Sequence, residues 1–233
     1  MGDGGSSEAE RLLVEILVGA AGDESTSDWL RSTLTAVEAS PDHRSVAGPY
    51  AAAVRRLRSV AAAPTPRQSE ALERAALGAL GQRDAVAMFR GALLLVACRC
   101  ADDGARAALV DRVFRTGDSA ERVALLAVLP ALPSATAYVE TAVEACRTNV
   151  RDVFEAIACE NDYPARHFSD AAFNQMVMKA VFSGVSLSRV RGLAGRVNRE
   201  LERMARDYSA ERRATGREVP ADLARLIAGQ GDT

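Results

Sequence analysis

The chain has few of the residues that typify strands, metal sites or redox centres. Aromatic residues make up only 5 % of its 233 residues, and there are two histidines and four cysteines, Cys98, Cys100, Cys146 and Cys159. β-branched residues rarely follow one another, which disfavours strands. No two cysteines form a C-x-x-C pair, and two histidines are too few to complete the usual ligand sets, which argues against a structural zinc site. We therefore interpret the cysteines as small, buried apolar residues in a reducing cytoplasm.

Long apolar runs and an excess of charge of one sign are also missing. The longest apolar stretch, near "GALLLVAC", is far shorter than the roughly 20 residues of a membrane span. The N-terminus is acidic and has no basic region of the kind that opens a signal peptide. With a net charge of −2 and both signs interspersed, the chain has no overall basic character to attract nucleic acid or an anionic membrane. The sequence predicts a cytoplasmic protein with no nucleic-acid partner and no direct membrane insertion.

Alanine and leucine recur at helical spacing along almost the whole chain, which predicts an all-α fold. We expect a disordered lead-in at residues 1–6 and a single helical domain at residues 7–229. The predicted helices are 7–21, 26–39, 46–62, 67–81, 83–101, 104–116, 119–130, 134–148, 150–159, 169–183, 186–192, 196–215 and 220–228. Between residues 104 and 159 short helices recur about every 15 residues, which indicates a HEAT-like or armadillo-like arrangement. The predicted architecture is an irregular α-solenoid or bundle of about 10–13 helices, with Ser119, Ser134, Ser169 and Ser186 as N-caps.

The predicted helix 169–183 contains the only lysine among the 29 lysine and arginine residues, Lys179. Successive helical residues are about 100° apart, so Phe173 and its apolar neighbours form one arc. Asn174, Gln175 and Lys179 lie on the opposite arc. A helix face in contact with water usually carries several charges. This face therefore predicts contact with protein or a cavity, where amides need partners and an ammonium needs an anion.

The polar residues around this helix predict a ligand site in the segment 163–198. Amides would bind hydroxyl or carbonyl groups, and cations would bind a carboxylate or phosphate. The predicted site residues are Tyr163, His167, Asn174, Gln175, Lys179, Arg189, Arg196 and Asn198.

Structural roles are the alternative for each of these residues. The amides of Asn174 and Gln175 would then bind carbonyl groups of the preceding loop, and Lys179 would pair with an acid such as Glu160 or Asp162. His167 would cap a helix or a carbonyl, and Tyr163 would anchor the loop. The arginine-rich helix that follows is interpreted as a solvated face with ion pairs four residues apart, such as Glu202–Arg206.

The segment 159–217 resembles the C-terminal signature of the EboA family. The matching elements are Asn174-Gln175-Met176-Val177-Met178-Lys179-Ala180, Phe182, Leu187, Arg189, Gly192-Leu193, Arg196, Asn198, Asp207-Tyr208, Glu211-Arg212 and Gly216-Arg217. The first 150 residues resemble the family only as a helical region. The resemblance implies a bacterial, metabolite-linked role beside operon-encoded proteins that include a prenyltransferase-like membrane protein. It implies no catalytic residue.

The leading functional hypothesis is a non-catalytic binding or accessory protein of a bacterial specialised-metabolite pathway. It would use no cofactor and no metal, and would hold an anionic or polyhydroxylated small molecule or an operon-encoded protein. One alternative is an enzyme acting on a sugar, cyclitol or prenyl phosphate, with Lys179 as base or Schiff-base residue and His167 as proton carrier. Another is a helical scaffold for operon-encoded proteins. A homodimer is compatible with the size of the chain.

Overall fold

The computed structural model describes residues 3–227 and is helical throughout its regular elements. Fourteen α-helices and no strand lie within that range, which confirms the all-α prediction. The solenoid character stays a prediction. The chain groups into two compact units, one ending at Ile157 and one beginning at Ala158, and the single domain at 7–229 also stays a prediction. The predicted lead-in 1–6 and the last predicted helix, 220–228, extend partly outside the described residues.

The first unit contains ten helices joined by short turns. They are α1 (Asp3–Ala20), α2 (Glu24–Ala39), α3 (His43–Leu57), α4 (Pro66–Arg74), α5 (Gly78–Gly81), α6 (Ala85–Cys100), α7 (Asp103–Thr116), α8 (Ser119–Val128), α9 (Val139–Cys146) and α10 (Arg151–Ala158), the last of which ends one residue beyond the unit.

Helix α6 is the centre of the first unit. Its sequence "AVAMFRGALLLVAC" is apolar or small at every position except Arg90, so the helix has no polar face. A helix of this kind has to be covered on all sides. Residues 85–98 are buried, with α1, α2, α3, α5, α7 and α8 packed around them. Gly91 makes room for α5, because a Cβ there would lie 2.4 Å from Cδ2 of Leu80.

Aspartates, rather than serines, cap five of the ten helices of this unit. In each case the carboxylate accepts a hydrogen bond from the backbone amide three residues further on, as expected of an N-cap; these caps are Asp23, Asp42, Asp84, Asp102 and Asp118. The predicted cap Ser119 is instead the first residue of α8. Ser134 has a φ of 54° and makes no capping bond.

The predicted helix 67–81 is divided into α4 and α5 by Ala76, whose φ is 58°. The amide of Leu77 donates to the carbonyl of Leu72 at 2.7 Å, and that of Ala76 donates to the carbonyl of Glu73 at 3.0 Å. These two bonds form a Schellman motif, which normally has glycine at the left-handed position. Because alanine stands there, the sequence gives no stop signal and the predicted helix is too long.

The second unit contains four helices. They are α11 (Tyr163–His167), α12 (Asp170–Phe182), α13 (Arg199–Ala214) and α14 (Asp222–Ile227). Ser169 caps α12 as predicted, accepting from the amide of Ala172. The helix predicted at 186–192 is wrong, since only a 3₁₀ turn forms at Leu187–Arg189. Helix α11 occupies a stretch predicted to be a loop.

Candidate functional site

In the predicted segment, Arg189 is held by Glu160, which lies three residues before α11. Its Nε donates to Oε1 of Glu160 at 2.8 Å and its Nη2 to Oε2 at 2.9 Å. The Glu160 amide in turn donates to the carbonyl of Arg189 at 2.8 Å. Bidentate pairs of this kind are strong and fix orientation. The guanidinium of Arg189 is therefore committed to a protein carboxylate.

Arg196 joins the end of α11 to the start of α12. Its Nη2 donates to the carbonyl of Phe168 at 2.8 Å and to Oδ1 of Asp170 at 3.1 Å, and its Nη1 donates to the carbonyl of Ala165. The guanidinium carbon lies 4.7 Å from the centroid of the Phe173 ring. A cation that binds the last carbonyls of a helix also stabilises its C-terminus. These contacts give Arg196 a structural function.

Asn174 and Asn198 form a reciprocal pair of hydrogen bonds. The Asn174 amide nitrogen donates to Oδ1 of Asn198 at 3.0 Å, and the Asn198 amide nitrogen donates to Oδ1 of Asn174 at 3.1 Å. Asn174 is buried, and Asn198 is also the N-cap of α13, accepting from the amide of Leu201 at 3.0 Å. The pair therefore joins α12 to the start of α13.

The other predicted site residues are in three different environments. Tyr163 is fully buried, and its ring centroid lies 4.7 Å from that of His167. His167 is half-buried, and burial, with a smaller contribution from the charge of Arg166, lowers its pKa. Gln175 is exposed and Lys179 is half-buried on α12.

The structure thus brings together two pairs of the predicted residues, Asn174 with Asn198 and Tyr163 with His167. The acids expected to neutralise Lys179 are bound by arginines. Glu160 holds Arg189, and Asp162 lies 3.5 Å from Arg166. A single ligand pocket made of all the predicted residues stays a prediction.

A cavity of about 590 Å³ lies in the first unit, in a region for which the sequence predicted no site. Its floor is formed by buried residues of α6 and α8, namely Val86, Ala87, Arg90 and Val123. Its exposed rim carries the polar residues Arg58, Gln82, Arg83, Asp84, Ser119 and Asp152. Ligand pockets of small-molecule-binding proteins commonly have volumes of about 300–1,000 Å³.

Arg90 places a positive charge on the floor of this cavity. It is 2 % exposed, and its Nε donates to the carbonyl of Tyr50 at 2.9 Å while its Nη2 donates to Oε1 of Glu121 at 3.2 Å. The guanidinium carbon lies 5.2 Å from the centroid of the Tyr50 ring. A buried cation of this kind is retained only with good partners, and Glu121 supplies the opposite charge.

The partners of Arg90 line a second, smaller cavity of about 190 Å³, together with His43. The Tyr50 hydroxyl donates to the carbonyl of Glu121 at 2.9 Å, and burial raises the pKa of Tyr50 far above its ordinary value. Oε2 of Glu121 accepts from the amide of Asp118 at 3.1 Å, which completes the capping box of α8. The cluster Tyr50–Arg90–Glu121 therefore ties α3, α6 and α8 together.

Sequence reasoning missed Arg90, although a signal for it exists. Arg90 is the only charged residue between Asp84 and Arg99, just as Lys179 is the only cation in its helix. The criterion of a single charge in an apolar helix, which singled out Lys179, also predicts a buried arginine at position 90.

Three of the four cysteines are buried, as predicted. Cys98, Cys146 and Cys159 are buried, and Cys100 is half-buried. Burial raises the pKa of Cys98 to about 12. Between residues 3 and 227 no group of three or more histidine, cysteine or acidic side chains is placed to hold a metal ion.

A family model described as "Metabolite traffic protein EboA" matches residues 10–228, nearly the whole chain. The chain has no significant match among curated proteins or solved structures. In the part that the structure describes, none of the helices combines the length and the apolar character required to cross a bilayer.

Proposed function

The chain belongs to the EboA family of metabolite traffic proteins, and on this basis we propose that it is a non-catalytic small-molecule-binding component of a metabolite pathway. Its ligand occupies the cavity of the first unit. The observation that carries the proposal is the cavity of about 590 Å³ with the buried Arg90 on its floor.

The composition of the cavity suits binding. Aliphatic side chains such as Val86 and Val123 offer apolar contact, and a few polar groups supply orientation, as is usual in ligand pockets. Arginine stays protonated in proteins, so Arg90 serves as a fixed positive charge. Asp84, the carboxylate nearest the start of α6, is occupied as a helix cap, accepting from the amide of Ala87 at 2.9 Å.

The sequence-derived site in residues 163–198 is proposed as a separate binding site in the second unit. Gln175 is exposed, and His167 and Lys179 are half-buried. Asn174, Arg189, Arg196 and Asn198 would support them from behind. Lys179→Met should then weaken metabolite binding while leaving the fold unchanged. The enzyme, scaffold and homodimer alternatives, operon-encoded partners and the cytoplasmic location stay predictions.

A cavity-blocking substitution tests the main proposal. Ala120 is exposed and lines the cavity at the start of α8, so Ala120→Trp would place an indole in its mouth. Ala108 is exposed on α7 and does not line the cavity, so Ala108→Trp is the matched control. The parent and both variants are purified from the organism that naturally produces the parent. The small molecules released on denaturation are measured by mass spectrometry per mole of protein.

We expect the parent and Ala108→Trp to carry the same metabolite and Ala120→Trp to have lost it. Incubation of that metabolite with the parent should return it chemically unchanged. Equal occupancy in the two tryptophan variants, both folded by circular dichroism, would place the ligand elsewhere. Conversion of the metabolite would contradict the non-catalytic role.

A further inference from the structure

Three helices begin at the wall of the 590 Å³ cavity. Helix α6 contributes Asp84 and Ala87, α8 contributes Ser119 and Ala120, and α10 contributes Asp152. The first turn of an α-helix has backbone amides without intrahelical acceptors, and its dipole is positive at that end. Helix N-termini therefore favour negative charge nearby, and at α6 and α8 the capping carboxylates of Asp84 and Asp118 already supply it.

Arginine side chains bring positive charge to the cavity. The buried guanidinium of Arg90 lies on its floor and donates to the carbonyl of Tyr50 and to Oε1 of Glu121. Arg58 and Arg83 are exposed on the rim, and neither forms an ion pair in the described part of the chain. Three guanidinium groups thus line the cavity with two carboxylates, those of Asp84 and Asp152. Glu121 already balances the charge of Arg90 at 3.2 Å, and the Asp84 carboxylate is held at the start of α6 by the amide of Ala87. An anion in the cavity would therefore be attracted chiefly by Arg58 and Arg83, with Asp152 opposing it.

The rest of the cavity is apolar. Val86 and Val123 lie on its floor, and Val54, a large side chain that is 44 % exposed, forms part of its edge. Burying such a surface against a hydrocarbon group removes apolar area from water and stabilises a complex. An anion with an apolar portion would therefore use both parts of the cavity.

We infer that the cavity selects an anionic amphiphile, with a carboxylate or phosphate near Arg90, Arg58 and Arg83 and an apolar portion against Val86 and Val123. The inference rests on the proposed function, because it specifies the ligand class of the same cavity. An exposed arginine contributes modest, salt-dependent attraction, whereas hydrogen bonds to the buried guanidinium contribute more.

The test compares probes of the same length with and without charge. Octanoate, octyl phosphate, octan-1-ol and inorganic phosphate are titrated calorimetrically into the full-length protein at low and high salt. We expect both amphiphilic anions to bind about tenfold or more tightly than octan-1-ol, since a charge-assisted hydrogen bond is worth more than a neutral one. High salt should weaken the binding of the anions and leave the binding of octan-1-ol unchanged.

Rim variants locate the effect without disturbing the core. Arg58→Met and Arg83→Met should each weaken the binding of octanoate about threefold. Asp152→Asn should strengthen that binding by a similar factor, as expected for exposed charges. Arg55 is exposed on α3 and does not line the cavity, so Arg55→Met is the control and should leave octanoate binding unchanged.

The outcomes separate this inference from the proposed function. Octan-1-ol binding as tightly as octanoate, with no response to the rim variants, would overturn the anion preference and leave a small-molecule cavity. Inorganic phosphate binding as tightly as octyl phosphate would overturn the apolar contact. No binding of any probe would overturn this inference, as would octanoate binding that Ala120→Trp does not reduce. The proposed function would still be decided by the metabolite that the parent and Ala120→Trp carry.

Discussion

The side chains of Asn174 and Asn198 each donate to the other's carbonyl oxygen, at 3.0 and 3.1 Å, although 24 residues separate them. Asn198 also starts α13, so this pair fixes where α13 begins relative to α12. A buried amide is costly to leave without its partner. The pair is therefore part of the architecture of the second unit.

Replacing Asn174 by alanine should destabilise the protein by about 1–3 kcal/mol, the range expected when a buried polar partner is removed. The neighbouring Gln175 is exposed, so Gln175→Ala should change the free energy of unfolding by less than about 0.5 kcal/mol. Urea unfolding followed by circular dichroism measures both. Equal midpoints for the two variants would show that the reciprocal amide pair contributes no stability.

Arg90→Met should destabilise the protein by about 3–5 kcal/mol, because it leaves the Glu121 carboxylate and the Tyr50 carbonyl without their donor. Glu121→Gln should also destabilise it. The double variant should be more stable than the sum of the two losses implies, with a coupling of about 1–3 kcal/mol. Chemical unfolding of the four proteins gives this coupling. Strict additivity would contradict an energetic link between the two side chains.

Three glycines of the second unit should rank by steric demand when each is changed to alanine. Gly192 has a φ of 71°, and a Cβ there would lie 2.6 Å from Cβ of Ala165. Gly184 has a φ of 66° but open space around it, and Gly195 has neither constraint. Strain at a left-handed residue is worth about 1–2 kcal/mol, and the close contact adds to it. We expect the loss in melting temperature to be largest for Gly192→Ala, smaller for Gly184→Ala and smallest for Gly195→Ala; a different order would argue against the close approach of Gly192 to Ala165.

The stability of the protein should depend on pH through His167. Burial and the charge of Arg166 lower the pKa of His167 below its ordinary value of 6.5, so the unfolded chain takes up this proton more readily than the folded one. The contribution is present in full above pH 6.5 and is lost as the pH falls through the lowered folded pKa. Urea midpoints between pH 7.5 and pH 5 should therefore decline less in His167→Gln than in the parent. Parallel curves would mean that His167 is equally easy to protonate in both states.

Much of the helical pattern could be predicted from the sequence, because apolar spacing along this chain follows the helical period closely. The predicted range for α8 begins at the observed residue, and that for α12 begins one residue early. The predicted pair Glu202–Arg206 is present at 2.7 Å, but Glu202 is buried and not on a solvated face as predicted. The errors lie where local signals mislead. Ala76 adopts a backbone conformation that normally requires glycine, and α11 forms in a stretch whose proline and polar residues are typical of a loop.

The predicted contacts around α12 were harder to obtain from the sequence. Polar residues in a mostly apolar helix indicate that partners exist, but they do not say which residues those are. Arg196 binds backbone carbonyls about 30 positions away, at Ala165 and Phe168, and a carbonyl carries no sequence signature. The cavity in the first unit depends on how α3, α6, α8 and α10 pack, which periodicity does not specify.

Glu121 has two separate tasks, one for each oxygen of its carboxylate. Oε1 neutralises Arg90, and Oε2 closes the capping box at the amide of Asp118. Substitution tolerance at this position should be correspondingly narrow: aspartate is too short to reach both partners, and glutamine can keep the cap only by giving up the charge. Among homologous chains, arginine at position 90 and glutamate at position 121 should therefore be inherited or lost together.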